Sequence, residues 1–240
     1  MVKKIAAAVV VLGLIAGGAF WATSGPQTTV AQPLGAADAQ TAETAPAEAA
    51  PAEAAPTTTA TEIDPAMLAD RTMGNPDAPV KLTEYASFTC PHCAAFNEEV
   101  FQDLKKNYID TGKVFFTYRE VYFDRYGLWA GMIARCGGAD RYFGFVETYY
   151  STRDTWLNSD DPAVIAANLK RIGRTGGMTD AALDTCLNNT AFAEALVANF
   201  QKTSTEDNVE GTPTFIINGE KFSNMAYDEF AKVLDAKLAE

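Results

Sequence analysis

The chain has 240 residues, of which 48% are hydrophobic, and 19 basic against 31 acidic residues give a formal net charge of −12. This composition is ordinary for a soluble globular protein. The excess of acidic residues argues against a protein that binds the phosphate backbone of a nucleic acid. With four cysteines and one histidine in all, a four-ligand zinc site would need nearly all of them, so we expect no metal. A Ser-His-Asp hydrolase would depend on His92, which is poorly placed between two cysteines.

The first 22 residues have the pattern of a targeting segment. Lys3 and Lys4 precede an uncharged run over residues 5–22. As a helix this run would be about 27 Å long, close to the hydrocarbon thickness of about 30 Å. Small-residue cleavage sites are weak here. We therefore expect export from the cytoplasm, and the sequence leaves open a cleaved signal peptide or a retained N-terminal membrane anchor.

Residues 23–66 form a second zone, rich in Ala, Pro, Thr and Glu, with six acidic residues and no basic ones. Few of its side chains are large and apolar, so burial cannot offset the entropy of ordering. We predict a disordered linker. If the first segment stays in the membrane, the linker acts as a tether.

Residues 67–240 are long enough for one sizeable core, and their first clear strand covers residues 80–86. Alternation places Val80, Leu82, Glu84 and Ala86 on one face. An ionised carboxylate is costly to bury on an apolar face, so the pKa of Glu84 should be raised. The alternative is a strand edge at which Glu84 lies in water.

The next motif is Cys90-Pro91-His92-Cys93. Apolar residues then recur at helical spacing, and Pro91 suits a first helical turn because its missing N–H is not needed there. Cys90 is therefore predicted at the N-terminus of a helix that follows a strand and a loop. Free N–H groups and the helix dipole favour a thiolate at this position, and His92 adds a polar or cationic neighbour.

A thiolate at Cys90 predicts a reactive redox pair, with Cys93 one turn further as the less exposed, resolving thiol. The alternatives are an inert disulfide or half of a zinc site. No second Cys-x-x-Cys motif exists in the chain. A Cys-x-x-Cys motif that opens a helix after a strand, in an exported protein, favours redox chemistry.

A second strand is predicted over residues 114–121, and the pattern is helical from about 124 to 207. The five predicted helices cover residues 128–135, 141–150, 162–174, 180–187 and 191–205, with Thr179 or Asp180 as a cap and a break at Gly176-Gly177. Because this block interrupts the strands, it indicates an inserted helical subdomain.

Strands resume over residues 211–217, followed by an Asn218-Gly219 hairpin turn, a further short strand and a C-terminal amphipathic helix. Pro213 is unusual inside a strand because it lacks a donor for the ladder. Its position before an apolar run predicts either an edge position or a cis peptide bond.

This succession, with Cys90-Pro91-His92-Cys93 and the later Thr212-Pro213, resembles the thioredoxin fold in its DsbA-like form over about residues 72–239. The resemblance implies an α/β fold, a thioredoxin fold with an inserted α-helical subdomain. It also implies that Cys90 is the surface nucleophile and that Pro213 is a cis-proline facing the disulfide. The backbone at Thr212 would then pair with a substrate peptide by strand addition.

The resemblance further implies that Glu84, six residues before Cys90, relays a proton for Cys93. Thr212 departs from the best-known oxidases, which carry an apolar residue there, whereas Thr is common in isomerases and reductases. Isomerases of that kind add an N-terminal dimerisation domain, which residues 23–66 cannot supply. This favours a monomeric oxidase and keeps isomerase or reductase behaviour open.

The other two cysteines, Cys136 and Cys186, fall in or beside predicted helices of the insertion. In an oxidising compartment they are expected to form a structural disulfide, and the alternative is two buried free thiols. Closing a loop of about 50 residues would stabilise the fold by about 4 kcal/mol in the chain-entropy model.

The sequence therefore predicts a thiol–disulfide oxidoreductase, without a cofactor, that introduces disulfides into newly exported, cysteine-containing proteins. The resemblance implies a bacterial periplasmic location, with the protein either soluble or tethered by residues 5–22, and reoxidation by a membrane quinone-linked partner. The alternatives are a reductase or isomerase of the same superfamily and a redox-silent peptide-binding chaperone. We expect no nucleic-acid partner.

Overall fold

The computed structural model describes residues 63–240. The targeting segment and residues 23–62 of the predicted linker lie outside the described residues. Over residues 63–240, the helices are all too short or too polar to cross a membrane.

Five strands form one mixed sheet in the order β1-β3-β2-β4-β5. Their bounds are β1 (Arg71–Met73), β2 (Val80–Ala86), β3 (Val114–Glu120), β4 (Thr214–Ile217) and β5 (Glu220–Ser223). The central pair, β2 and β3, is parallel, and the other three pairs are antiparallel. The crossover between β2 and β3 is the helical segment that begins at the cysteine motif.

That segment alternates between α-helical and π-helical turns: α2 (Pro91–Phe96), a π-helical turn (Asn97–Phe101), α3 (Gln102–Leu104) and a second π-helical turn (Lys105–Ile109). Its apolar face packs on the sheet through aromatic rings. The ring of Phe96 lies 4.6 Å from that of Phe215 and 5.9 Å from that of Phe230, between centroids. The end of α2 is thus packed between β4 and the C-terminal helix.

The predicted helical insertion is present between β3 and β4. Its helices are α4 (Arg125–Cys136), α5 (Ala139–Ser151), α6 (Arg153–Trp156), α7 (Pro162–Thr175), α8 (Asp180–Leu187) and α9 (Thr190–Glu206), and α10 (Tyr227–Leu238) closes the chain. The bounds of the five predicted helices differ from the structure by three residues or fewer. The short helix α6 was not predicted.

Capping side chains explain where two of these helices begin. Asp124 accepts hydrogen bonds from the N–H groups of Tyr126 and Gly127 at 2.8 and 2.9 Å, so α4 starts earlier than its apolar spacing indicates. Thr179 accepts from the N–H of Ala182 at 3.2 Å and caps α8, as predicted.

Close to the boundary predicted at about residue 66, the described chain already contacts the domain. Asp64 caps a single helical turn, α1 (Pro65–Leu68). The guanidinium of Arg135 donates to the carbonyl oxygens of Met67 and Ala69 at 2.8 and 3.0 Å, and Ile63 packs against the insertion. These residues are held by a distant arginine, which local composition does not reveal.

Candidate active site

Cys90 is the N-cap residue of α2. Its backbone is extended, its N–H donates to the carbonyl of Ser87 at 3.1 Å, and its Sγ accepts from the N–H of Cys93 at 3.4 Å. Cys90 is partly exposed, whereas Cys93 is 0% exposed, and both are free thiols in this structure. The two cysteines therefore have the unequal access that the motif predicted.

The two thiols differ strongly in acidity. Hydrogen bonding to the Cys93 side chain is the largest influence on Cys90, and further hydrogen bonds from Thr212 and the N–H groups of Cys93 and His92 outweigh burial, lowering the pKa of Cys90 to about 5. Burial, followed by the hydrogen bond with Cys90, raises the pKa of Cys93 above its ordinary range. The His92 side chain is exposed. His92 lowers the pKa of Cys90 through its backbone N–H.

The Thr212–Pro213 peptide bond is cis, which is one of the two possibilities that the sequence allowed. Pro213 is buried just before β4, so it does not interrupt the strand ladder. The thiol of Cys90 donates to the carbonyl oxygen of Thr212 at 3.5 Å. The fold thus brings together two motifs that lie 122 residues apart.

Glu84 lies in the middle of the sheet, opposite Tyr118 of β3 and Phe215 of β4. Its side chain is 3% exposed, and its Oε1 atom is buried without a hydrogen-bond partner. Burial, together with the charge of Cys90, raises the pKa of Glu84 to about 8. The alternation argument was correct, and the alternative of a solvated strand edge was wrong.

A cavity of about 180 Å³ borders the Glu84 carboxyl. Tyr118 lines it on the sheet side, and the exposed residues Gln102 and Glu147 line it from the helices. The Tyr118 hydroxyl is hydrogen-bonded to that of Tyr150 at 2.6 Å. Glu84 therefore lines a cavity whose other lining residues include exposed polar side chains.

Two residues of the insertion that hold the active-site loop were not found from the sequence. The Thr89 hydroxyl donates to Asp124 Oδ2 at 2.6 Å, and Arg153 Nε donates to the Thr89 carbonyl at 2.9 Å. Asp124 could have been found as a helix cap before α4. Arg153 lies in α6, which is too short for any periodic signal.

Cys136 and Cys186 form a disulfide between the end of α4 and α8, with Cα atoms 6.3 Å apart. The bond lies against a small apolar cluster that includes Met132, Phe192 and Leu196. The expected structural disulfide is therefore present, and the alternative of two free thiols was wrong. Within residues 63–240, no group of three or more His, Cys, Asp or Glu side chains could hold a metal.

The sheet order, the inserted helices and the cysteine motif beside a cis-proline define a thioredoxin fold of the DsbA-like form, so the predicted fold class is confirmed. A family model described as thioredoxin matches residues 67–236. The chain belongs to the thioredoxin family.

Known relatives agree with this assignment. A protein of Rickettsia felis, named as a protein-disulfide oxidoreductase, is 33% identical over 172 residues, which cover 71% of this chain and 61% of that protein. The chain thus spans less than two thirds of that relative. The structure of Wolbachia pipientis alpha-DsbA1 is 29% identical with a TM-score of 0.64, covering 71% of this chain and 91% of that one. The structure of a protein-disulfide isomerase from Novosphingobium aromaticivorans is 27% identical with a TM-score of 0.65. The match covers 72% of this chain and 100% of that one.

Proposed function

We propose that this protein is an exported thiol–disulfide oxidoreductase that passes the Cys90–Cys93 disulfide to cysteine-containing client proteins. The observation that carries the proposal is the pairing of an accessible thiol whose pKa is lowered to about 5 with a buried thiol whose pKa is raised. The names of the relatives support the same chemistry.

The exchange proceeds in two balanced steps. A client thiolate attacks Cys90 Sγ, the Cys90–Cys93 bond breaks, and Cys93 leaves and takes up a proton. A second client thiolate then attacks the client sulfur of the mixed disulfide, and Cys90 leaves as a thiolate. The client loses two electrons and the cysteine pair gains them. Because the Cys90 thiolate is stable, it leaves easily, and the oxidised pair is a strong oxidant.

Glu84 is the proton donor in this scheme. Cys93 is a poor leaving group as a thiolate because burial raises its pKa. The raised pKa of Glu84, about 8, keeps its carboxyl protonated at neutral pH. Glu84 can therefore supply the proton as the bond to Cys93 breaks and regain one through the adjoining cavity.

Client recognition is proposed at the cis-proline loop. The Thr212 carbonyl lies within hydrogen-bond distance of the Cys90 thiol. A client segment that pairs with the backbone at Thr212 would present its cysteine to Cys90 by strand addition. Such backbone pairing suits a protein that acts on many unfolded sequences.

The cellular setting is part of the proposal. Lys3 and Lys4 before the uncharged run over residues 5–22 support export to the bacterial periplasm, with the protein released or tethered to the inner membrane. Clients are then newly exported proteins, a quinone-linked membrane partner reoxidises the pair, and the protein acts as a monomer.

A second candidate function is disulfide isomerisation or reduction. The Thr212 side chain lowers the pKa of Cys90, and one similar structure is named as a protein-disulfide isomerase. The two activities are separated by the reduction potential of the Cys90–Cys93 pair and by the refolding of a substrate with scrambled disulfides.

The direct test is oxidation of a reduced, unfolded protein by the oxidised full chain. Replacing Cys90 with Ser must abolish the reaction. Cys93→Ser, incubated with a client that carries a disulfide, should accumulate a mixed disulfide, because the Cys90 thiolate attacks the client disulfide and no Cys93 thiol is present to release it. The double variant Cys136→Ala/Cys186→Ala is the matched control, and it should retain oxidation while folded. A redox-silent chaperone would instead bind clients equally well without Cys90 and Cys93, and that result would refute the oxidoreductase.

A further inference from the structure

Thr89, the residue immediately before Cys90, is held on two sides by the helical insertion. Its hydroxyl donates to Asp124 Oδ2 at 2.6 Å, and its carbonyl accepts from Arg153 Nε at 2.9 Å. Its N–H reaches Ser87 Oγ at 3.4 Å. Every polar group of Thr89 therefore has a partner, and two of the three partners belong to the insertion.

The helix that carries Arg153 is itself fixed in the core. Trp156, at the end of α6, is 1% exposed, and its indole Nε1 donates to the carbonyl of Tyr149 at 2.9 Å. Asn168 Nδ2 donates to the Trp156 carbonyl at 3.2 Å. Because α6 is anchored in this way, Arg153 is presented to Thr89 from a rigid base.

The Arg153 side chain is 22% exposed, so its hydrogen bond to Thr89 is partly shielded from water. Its charge is offset by Asp154, whose Oδ1 lies 2.7 Å from Nη1. Arg153 and Asp154 also line a surface groove that reaches Pro91, together with Glu98 and Glu99 on the cysteine-bearing helix. Because Asp154 offsets its charge, the guanidinium acts on Thr89 mainly through its directed hydrogen bond.

We infer that Arg153 is a positioning residue for Cys90: its Nε–H fixes the Thr89 carbonyl, and with it the peptide that places the Cys90 sulfur at the start of α2. The inference rests on the proposed function, since it assigns to the insertion the task of holding the nucleophile. The Thr89–Cys90 peptide determines where Cys90 Sγ lies relative to the N–H of Cys93 and to Thr212. A loose peptide would weaken each of those hydrogen bonds at once.

Three substitutions separate the hydrogen bond from the charge. In Arg153→Gln, the amide nitrogen occupies the position of Nε, so a donor remains while the charge is lost. In Arg153→Lys, the charge remains, but a methylene group replaces the donor at that position. Arg153→Met removes both. Arg174→Met is the matched control, because Arg174 makes a similar exposed ion pair with Asp180 at 2.8 Å on another helix.

Two measurements report on the Cys90 sulfur. The pH profile of its alkylation in the reduced full chain gives its pKa, and the redox equilibrium with glutathione gives the stability of the Cys90–Cys93 disulfide. We expect Arg153→Met to move the profile midpoint upward and to shift the equilibrium toward the disulfide by about three- to tenfold. Arg153→Gln should stay near the wild type, and Arg153→Lys should resemble Arg153→Met. Arg174→Met should change neither readout.

Either of two results would overturn the inference: a wild-type profile for Arg153→Met, or a shift in Arg153→Gln as large as that in Arg153→Met. If Arg153→Met does not fold, Arg153→Gln and Arg153→Lys are compared instead. The inference predicts that the alkylation midpoint of Arg153→Gln is closer to the wild-type value than that of Arg153→Lys, and the reverse order would refute it. A purely structural arginine would lower thermal stability without moving the alkylation midpoint. If the wild type itself has an ordinary thiol midpoint, the proposed function fails independently of Arg153.

Discussion

The sulfur of Cys90 lies 3.5 Å from the carbonyl oxygen of Thr212, at the cis bond to Pro213. This contact joins the start of α2 to the loop before β4. It brings the Cys90 sulfur next to the backbone at which we propose that a client peptide pairs.

The Thr212 side chain should contribute directly to the acidity of Cys90. This side chain lowers the pKa of Cys90, and Val has the same shape without the hydroxyl. We expect Thr212→Val to raise the midpoint of Cys90 alkylation by about half a pH unit. Thr205→Val is the control, because the Thr205 hydroxyl bonds only within its own helix, to the Gln201 carbonyl at 2.7 Å. Equal profiles for both variants would refute this role.

The Cys90 thiolate should stabilise the reduced protein at neutral pH. The folded-state pKa of Cys90, about 5, lies below its usual value of 9.0, so the thiolate stabilises the fold above pH 9, and this contribution is lost as the pH falls through about 5. Allowing for solvent screening, we expect the stability of reduced wild type relative to reduced Cys90→Ser to increase by about 1 to 2 kcal/mol between pH 4 and pH 7, because both proteins retain the Glu84 carboxyl. Urea unfolding of the two reduced proteins measures this difference. A difference that does not change with pH would contradict the assignment.

Glu84 should have the opposite effect on stability. Its folded-state pKa of about 8 lies above the usual 4.5, so ionisation is cheaper in the unfolded chain. The free energy of unfolding should fall by several kcal/mol as the pH rises from about 4.5 to 8, and it should then level off. The reduced protein is used, because the charge of Cys90 contributes to the raised pKa of Glu84.

Glu84→Gln should remove the decrease in the free energy of unfolding between about pH 4.5 and pH 8. The same substitution should slow client oxidation, because no proton is supplied to Cys93. Glu147→Gln, at an exposed residue lining the same cavity, is the matched control for stability. A wild-type pH profile of stability in Glu84→Gln would show that the carboxyl is not buried in its neutral form.

The Cys136–Cys186 disulfide should be structural. Removing it in Cys136→Ala/Cys186→Ala is expected to cost about 2 to 4 kcal/mol of unfolding free energy, while the redox equilibrium of Cys90–Cys93 with glutathione stays near the wild-type value. Denaturant unfolding and the glutathione equilibrium measure the two effects separately. A tenfold change in the redox equilibrium would contradict a purely structural role.

The sequence predicted those parts of the fold that carry a regular local pattern. The alternation around Glu84 gave β2 and its buried carboxyl, and the apolar spacing after Pro91 gave the helix that starts at Cys90. Apolar periodicity likewise located five helices of the insertion. In each case, one face of the element packs on the core, so apolar residues recur at a regular spacing along the local sequence.

Other parts depend on contacts between distant residues and could not be predicted. The strand β1 has three residues, and Arg71 at its start is both charged and buried. The segment around Met67 is held by Arg135, and Thr89 is held by Arg153. Such single side-chain anchors leave no periodic signal, and they become visible only when the fold brings the two residues together.

The ionisation of the Cys90 sulfur underlies the proposed chemistry, and it is measured directly by the rate of Cys90 alkylation in the reduced full chain as a function of pH. We predict a midpoint near pH 5, because the pKa of Cys90 is lowered to about 5 by hydrogen bonds from its surroundings. A midpoint at about 8.5, the value of an ordinary thiol, would contradict the account.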